Sequence, residues 1–153
     1  IWNRAGKPTR EGFQSHEILT NPTKNSNLDC LLEQLIKAVS THRCDAIESL
    51  TGNWSNPISL SGWAVVLKNG GYQKRHIHPE AKFSGVFYVK VPSIPKNTAA
   101  NQGDLCFFGS ADSKLLKLRP RQGSVVTFPS YIPHETIPLI NIDERICIAF
   151  NVQ

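Results

Sequence analysis

The sequence is short of the features that mark several large classes of protein. It has no methionine among its 153 residues, so the chain reads as a processed protein or as one domain of a longer one. No run approaches the roughly 20 apolar residues that cross a bilayer. None of the four cysteines, Cys30, Cys44, Cys106 and Cys147, stands in a CxxC arrangement, the spacing of thiol redox motifs and many thiolate–zinc sites. Cys106 and Cys147 lie in apolar runs, where a reduced cysteine acts as a small core residue. Cys30 and Cys44 flank a predicted helix and could pair, but a reduced, cytoplasmic protein is the expectation. The formal net charge is +5, yet it has no dense cluster. Lys74-Arg75 with Lys82, and the looser group Lys114, Lys117, Arg119 and Arg121, lack interleaved aromatics. They read as solvated surface and argue against a nucleic-acid partner.

What is present is a soluble, turn-rich chain, 40% hydrophobic and 19% charged, with ten glycines and ten prolines. That composition favours an all-β core over a helical bundle, and the length suits one domain over 1–153. Residues 1–55 read as an N-terminal arm and a supporting helix. In the arm, Arg10 to Thr20 is a short ordered stretch, since Phe13, Ile18 and Leu19 need cover. It suits its own barrel or a neighbour's, which leaves a homodimer open. The helix follows. Leu28, Leu31, Leu32, Leu35, Ile36 and Val39 form one apolar stripe on a 3.6-residue period. Asn25, Ser26 or Asn27 caps its start, with Asp29 and Glu33 in the N-terminal half. Residues 44–50 add a second short helix or a turn.

Residues 60–151 change period. Segments 61–68, 83–91, 104–109, 123–129 and 145–151 are rich in Val, Phe, Tyr and Ile, with weaker strands at 72–77 and 114–119. Asn69-Gly70-Gly71, the stretch from Pro92 to Gly103, Arg119 to Gly123 and Pro129 to Pro133 separate them. Such a set makes a sandwich or a small barrel. The Pro92 to Gly103 loop and residues 109–114 would rim its pocket, the former as an exposed lid.

The histidines carry the chemistry. His76 and His78 are two apart, so on an extended segment both rings face one side. His134 follows a later apolar strand and a Pro-Ser-Tyr-Ile-Pro turn. Two ligands from one strand and a third from a distant one hold a metal while leaving coordination positions open, as catalysis requires. The bland alternative is a chance HxH with His78-Pro79 in a turn. His16 and His42 lack any such context.

The run His76-Ile77-His78-Pro79 through Ser84-Gly85-Val86-Phe87-Tyr88-Val89 resembles the HxHP…SGVxYV signature of a family of iron(II)- and 2-oxoglutarate-dependent oxygenases. Gly103-Asp104-Leu105 with Phe107, Pro120, Gly123, Phe128-Pro129-Ser130, His134 and Arg145 to Asn151 follow in the family's order. Weaker landmarks are Gly12 to His16 and Trp63. The resemblance implies a double-stranded β-helix (a cupin-like jelly roll) with Fe(II) at its mouth and 2-oxoglutarate as cosubstrate. His76 and His134 match metal ligands, and Arg145 matches the anchor of the cosubstrate's far carboxylate. The usual triad has a carboxylate where this chain has His78. Three readings stay open: an all-histidine triad of His76, His78 and His134; a shift in which His78 and Glu80 take the His-x-acid roles; or firm ligation by His76 and His134 alone, with His78 a substrate or supporting group.

The last strand adds its own argument. Arg145, Cys147 and Ala149 share one face and Ile146, Ile148 and Phe150 the other. An Arg beside two small side chains leaves room for a ligand, and a buried guanidinium needs an anion. The alternative is an internal salt bridge to Asp143 or Glu144. Tyr72 and Tyr88 are candidates for further cosubstrate contacts, and Gln73 and Asn151 for substrate or supporting ones. The expected activity is hydroxylation of an amino-acid residue or small metabolite, with a small-molecule or peptidyl partner and no membrane. The competing readings are a cupin-like metal enzyme that does not use 2-oxoglutarate and a non-enzymatic binding or accessory domain.

Overall fold

A computed structural model describes residues 7–20, 26–41, 58–93, 101–110, 113–140 and 143–153. The elements are β1 (Thr9–Glu17), α1 (Ser26–Thr41), β2 (Leu60–His76), β3 (Phe83–Lys90), β4 (Leu105–Phe108), β5 (Lys114–Leu118), β6 (Val125–Pro129), β7 (His134–Thr136) and β8 (Arg145–Val152). The strands pair antiparallel in the order β5-β4-β7-β2-β8-β3-β6, with β1 added to β2. The sheet curls on itself as a double-stranded β-helix, the expected fold class. Residues 44–50, Cys44, His42 and the centre of the proposed lid lie outside the described residues, as do two residues of the 109–114 rim. Among the described residues no helix is long and apolar enough to cross a membrane.

Strand β2 organises the molecule. The first half pairs with β8, from Leu60↔Val152 to Leu67↔Arg145, and the far end pairs with β7, at Gln73↔Thr136 and His76↔His134. The change of partner falls after Asn69-Gly70-Gly71, expected above to separate two strands. The chain does not reverse there. Gly70 takes φ +81°, and the register against β1 jumps between Arg10↔Tyr72 and Gly12↔Leu67. The glycines therefore build a bulge that bends one strand, which is how strands turn the corners of a closed sheet. The 10–20 arm is the strand β1, and it covers this chain's own β2.

Alternation along β8 sorts the core into two layers. Cys147 faces an inner layer with Val65, Leu67, Tyr88, Leu105, Phe107 and Phe128. Ile148, Phe150 and Val152 face an outer layer, where Leu35 and Val39 of α1 meet Leu60 and Phe83. The stripe on α1 thus covers one sheet face, as its period predicts.

Gly85 shows how tightly the layers fit. A Cβ there would stand 2.3 Å from Cζ of Phe150, whose ring is 1% exposed and has nowhere to retreat. Gly85→Ala is expected to destabilise the fold by about 1–3 kcal/mol through overpacking. Urea unfolding would measure this, and Phe150→Leu in the same chain should recover part of the loss.

Candidate metal centre

His76 closes β2, and His134 opens β7 as its register partner. Pairing across this edge brings together two residues far apart in sequence. His78 arrives differently from the expected alternation along one strand, because β2 ends at His76. The His78 backbone N–H donates to Ser130 O at 2.9 Å, and its ring lies 5.9 Å from that of Trp63. One candidate ligand atom from each histidine lies within 4.8 Å of the other two, and this group contains no other residue. The ring centroids of His76 and His134 are 4.3 Å apart. Glu80 does not join them. Pro79 and Glu80 form a turn, closed by Ala81 N–H donating to His78 O at 3.2 Å, and Glu80 is exposed. The regular extended chain needed by the His78–Glu80 reading is therefore absent.

Two of the rings are oriented by backbone carbonyls. His76 Nδ1 lies 2.7 Å from Lys74 O, and His134 Nδ1 lies 3.0 Å from Ile132 O. A carbonyl only accepts, so each neutral ring carries its proton on Nδ1 and offers the Nε2 lone pair to an ion. That is the usual outer support of a metal-binding imidazole.

Burial keeps the rings neutral. His134 is pushed down to about 3, mainly by burial and then by repulsion from His76. His78 is pushed down to about 4 for the same two reasons, and burial lowers His76 despite its bond to Lys74 O. Three neutral imidazoles suit a first-row divalent ion and leave further positions open. The sign of the pH effect follows. Between about pH 6.5 and pH 3 the unfolded chain binds protons that the folded histidines refuse. The unfolding free energy of the metal-free protein therefore rises with pH in this window and is lost as pH falls through it. Urea midpoints measured across pH 3.5–7.5 with chelator present should show this slope, and it should flatten in His134→Gln.

Arg145 lines the same cavity, a narrow space of about 30 Å³, with Trp63, Gln73 and the three histidines. The residue is 1% exposed. Its Nη1 donates to Gly103 O at 2.9 Å, and its guanidinium carbon sits 4.8 Å from the Tyr88 ring centroid. The Nε is buried and has no hydrogen-bond partner. The salt bridge considered from sequence is not made: Glu144 pairs with Lys90 at 3.3 Å, and no described ion pair involves Arg145. A buried cation with no described ion pair, acted on by Asp104 only from a longer range, and with an unmet Nε donor fits a carboxylate ligand.

The other candidates divide. Tyr88 is fully buried beside Arg145, its hydroxyl lacks a partner, and burial pushes it up to about 12, so it is a neutral donor. Gln73 lines the cavity and accepts from Thr136 Oγ1 at 3.5 Å. Tyr72 is not brought to the site. One residue from Gln73 on an alternating strand, it lines a separate open groove with Glu135 and Pro138. Asn151 accepts from Ser84 Oγ at 2.9 Å and does not line the cavity. His16 is exposed on β1. Sequence reasoning left two contributors without a role. The carbonyl of Gly103, at φ +70°, holds Arg145. The Trp63 indole Nε1, buried without a partner, belongs to the cavity wall, and its signal in the sequence was its match to a weaker landmark of the family.

A family model described as "Putative 2OG-Fe(II) oxygenase" matches residues 61–151. The chain belongs to this family. The oxygenase uses Fe(II) and 2-oxoglutarate, and the alternative readings, a cupin-like enzyme without the cosubstrate or an accessory domain, are not favoured. Among solved structures it is similar to a Pseudomonas putida prolyl-4-hydroxylase, with TM-score 0.65 and 21% identity over 99% of this chain and 76% of that one. The viral collagen prolyl hydroxylase of Paramecium Bursaria Chlorella virus-1, determined as a 2OG complex, gives TM-score 0.63 and 13% identity over 94% and 79%. A 2OG-Fe(II) oxygenase-family oxidoreductase from Burkholderia pseudomallei gives 0.56 and 12% over 80% and 55%. No curated protein matches the sequence. At these identities the likeness is one of fold.

Proposed function

We propose that the oxygenase hydroxylates an amino-acid residue or small metabolite, with His76, His78 and His134 as its iron ligands and Arg145 as the anchor for the far carboxylate of 2-oxoglutarate. The observation that carries this reading is one cavity lined by three convergent neutral imidazoles and by a buried guanidinium with no described ion pair. When bound, iron(II) and 2-oxoglutarate supply the oxidation, in which oxygen is consumed, the cosubstrate becomes succinate and carbon dioxide, and a C–H bond becomes C–OH. The chain's own part is geometric and electrostatic. The Lys74 and Ile132 carbonyls hold two rings in register. Three uncharged ligands leave the ion's positive charge for the anionic cosubstrate, and the apolar walls of Leu105 and Phe128 limit water.

The test is stoichiometric. Iron(II)-loaded protein should bind 2-oxoglutarate by calorimetry under nitrogen and form succinate when air and a set of peptides and amino acids are supplied. Absence of both binding and succinate would remove the assignment. The buried thiols of Cys106 and Cys147 support a reducing, cytoplasmic setting.

A further inference from the structure

Outside the histidine cluster lies an open groove of about 440 Å³, which shares Trp63, His76 and His78 with the inner cavity. Four cations line it, Lys7, Arg10, Lys74 and Arg75, and among the described residues no acidic side chain does. The sequence scatters these residues, and the fold gathers them. Strand β1 lies along β2 with Arg10 opposite Tyr72, and Lys74 N–H donates to Pro8 O at 2.9 Å.

Of the nearby acids, one meets a cation of the groove and another is held by backbone. Glu135 pairs with Arg75 at 3.5 Å. Glu17 is taken up by the backbone N–H groups of Leu19, Thr20 and Gly62. Lys7 Nζ and Arg10 Nη1 are held by main-chain carbonyls, at 2.7 Å from Ser15 O and 2.5 Å from Lys7 O. These carbonyls hold the two side chains at the groove. Trp63 lines both groove and cavity, with its Nε1 buried and without a partner. Like charges drawn together beside a reaction site raise the local concentration of an oppositely charged ligand. The volume suits a small ligand or a few residues of a chain, not a long polyanion track.

Building on the oxygenase reading, we propose that this groove docks the primary substrate, and that the substrate is polyanionic through carboxylates, as an acidic peptide segment or a carboxylated metabolite. The oxidised C–H bond then belongs to the part that passes Trp63.

The test uses iron(II)-loaded protein saturated with 2-oxoglutarate under nitrogen. Calorimetry would compare acetyl-tetraglutamate amide, acetyl-tetralysine amide, N-acetylglutamate and an eight-residue oligothymidylate. The glutamate peptide should bind at least tenfold more tightly than the lysine peptide, and more weakly as salt rises. Arg10→Glu and Lys7→Glu should each weaken it fivefold or more, with 2-oxoglutarate affinity within twofold of the parent, which also verifies that the variants fold. N-acetylglutamate binding as well as the peptide, with the same response to both variants, would assign the site to a metabolite, and weaker binding would assign it to a peptide. Equal binding of the two tetrapeptides, indifference to both variants, or tighter binding of the oligonucleotide would overturn the proposal. Failure of the parent protein to bind 2-oxoglutarate would sink the oxygenase reading instead, and the peptide comparison would still decide the groove.

Discussion

His134→Ala is expected to cost the protein its iron: metal retained after anaerobic gel filtration should fall from near one equivalent to below a tenth, with succinate formation falling at least a hundredfold. His134 is the most deeply placed of the three rings, at 5% exposure. It lies 4.3 Å from His76 and 5.2 Å from His78 between ring centroids, and it alone of the three comes from β7, so its loss removes the ligand that closes the cluster from the second strand. Phe107 and Phe128 pack around it, and alanine would also leave a small void costing about 1–3 kcal/mol. Metal content by atomic emission and urea unfolding with chelator present separate the two effects. A variant that keeps a full equivalent of iron would contradict the ligand set. Glu80→Gln should leave the metal content unchanged, because Glu80 is exposed in the turn beyond His78.

Arg145→Met should have the second-largest effect, with a signature in two opposite directions. Affinity for 2-oxoglutarate should fall a hundredfold or more, in line with the cost of about 2–5 kcal/mol for truncating one partner of a buried, hydrogen-bonded charge pair. The ligand-free protein should be no less stable, and Tm should hold or rise. At 1% exposure, with no acidic partner among the described ion pairs, the guanidinium is a desolvated charge met only by Gly103 O, the Tyr88 ring and the more distant Asp104 carboxylate. Replacing such a charge by an apolar chain of similar volume is often neutral or stabilising. An arginine that merely braced the fold through Gly103 O would instead show a drop in Tm and little change in cosubstrate affinity. Arg145→Lys, which keeps the charge but loses the fork, should fall between.

The parts of this molecule that were readable in advance are those with local periodicity. The stripe from Leu28 to Val39 fixed a helix within two residues at each end, and the alternation from Arg145 to Phe150 separated Cys147 of one core layer from Ile148 and Phe150 of the other. Two strands escaped notice. β7 has three residues, too few for a period to show, and it lies between Pro133 and Pro138. β1 is polar on much of its length because it adds to β2 from outside. Gly70 and Gly71 carried a true signal of irregular backbone, but a bulge and a reversal use the same residues. The candidate site divides in the same way. His76, His78 and His134 were visible as residue types, but their meeting depends on the β2–β7 register, which no local pattern encodes. Tyr72 was chosen by chemistry alone, and the pleat turns it away from the cavity into which Gln73 points. The fate of Glu144 needed Lys90, which stands on a strand far off in sequence.

An uninterrupted ribbon of backbone runs from the indole at the doorway to the first imidazole, with no loop between Trp63 and His76 to absorb a push. On the proposed docking route, a guest at the doorway would touch the same strand that carries the first of the metal's imidazoles. Between the two points that strand bends at a pair of glycines.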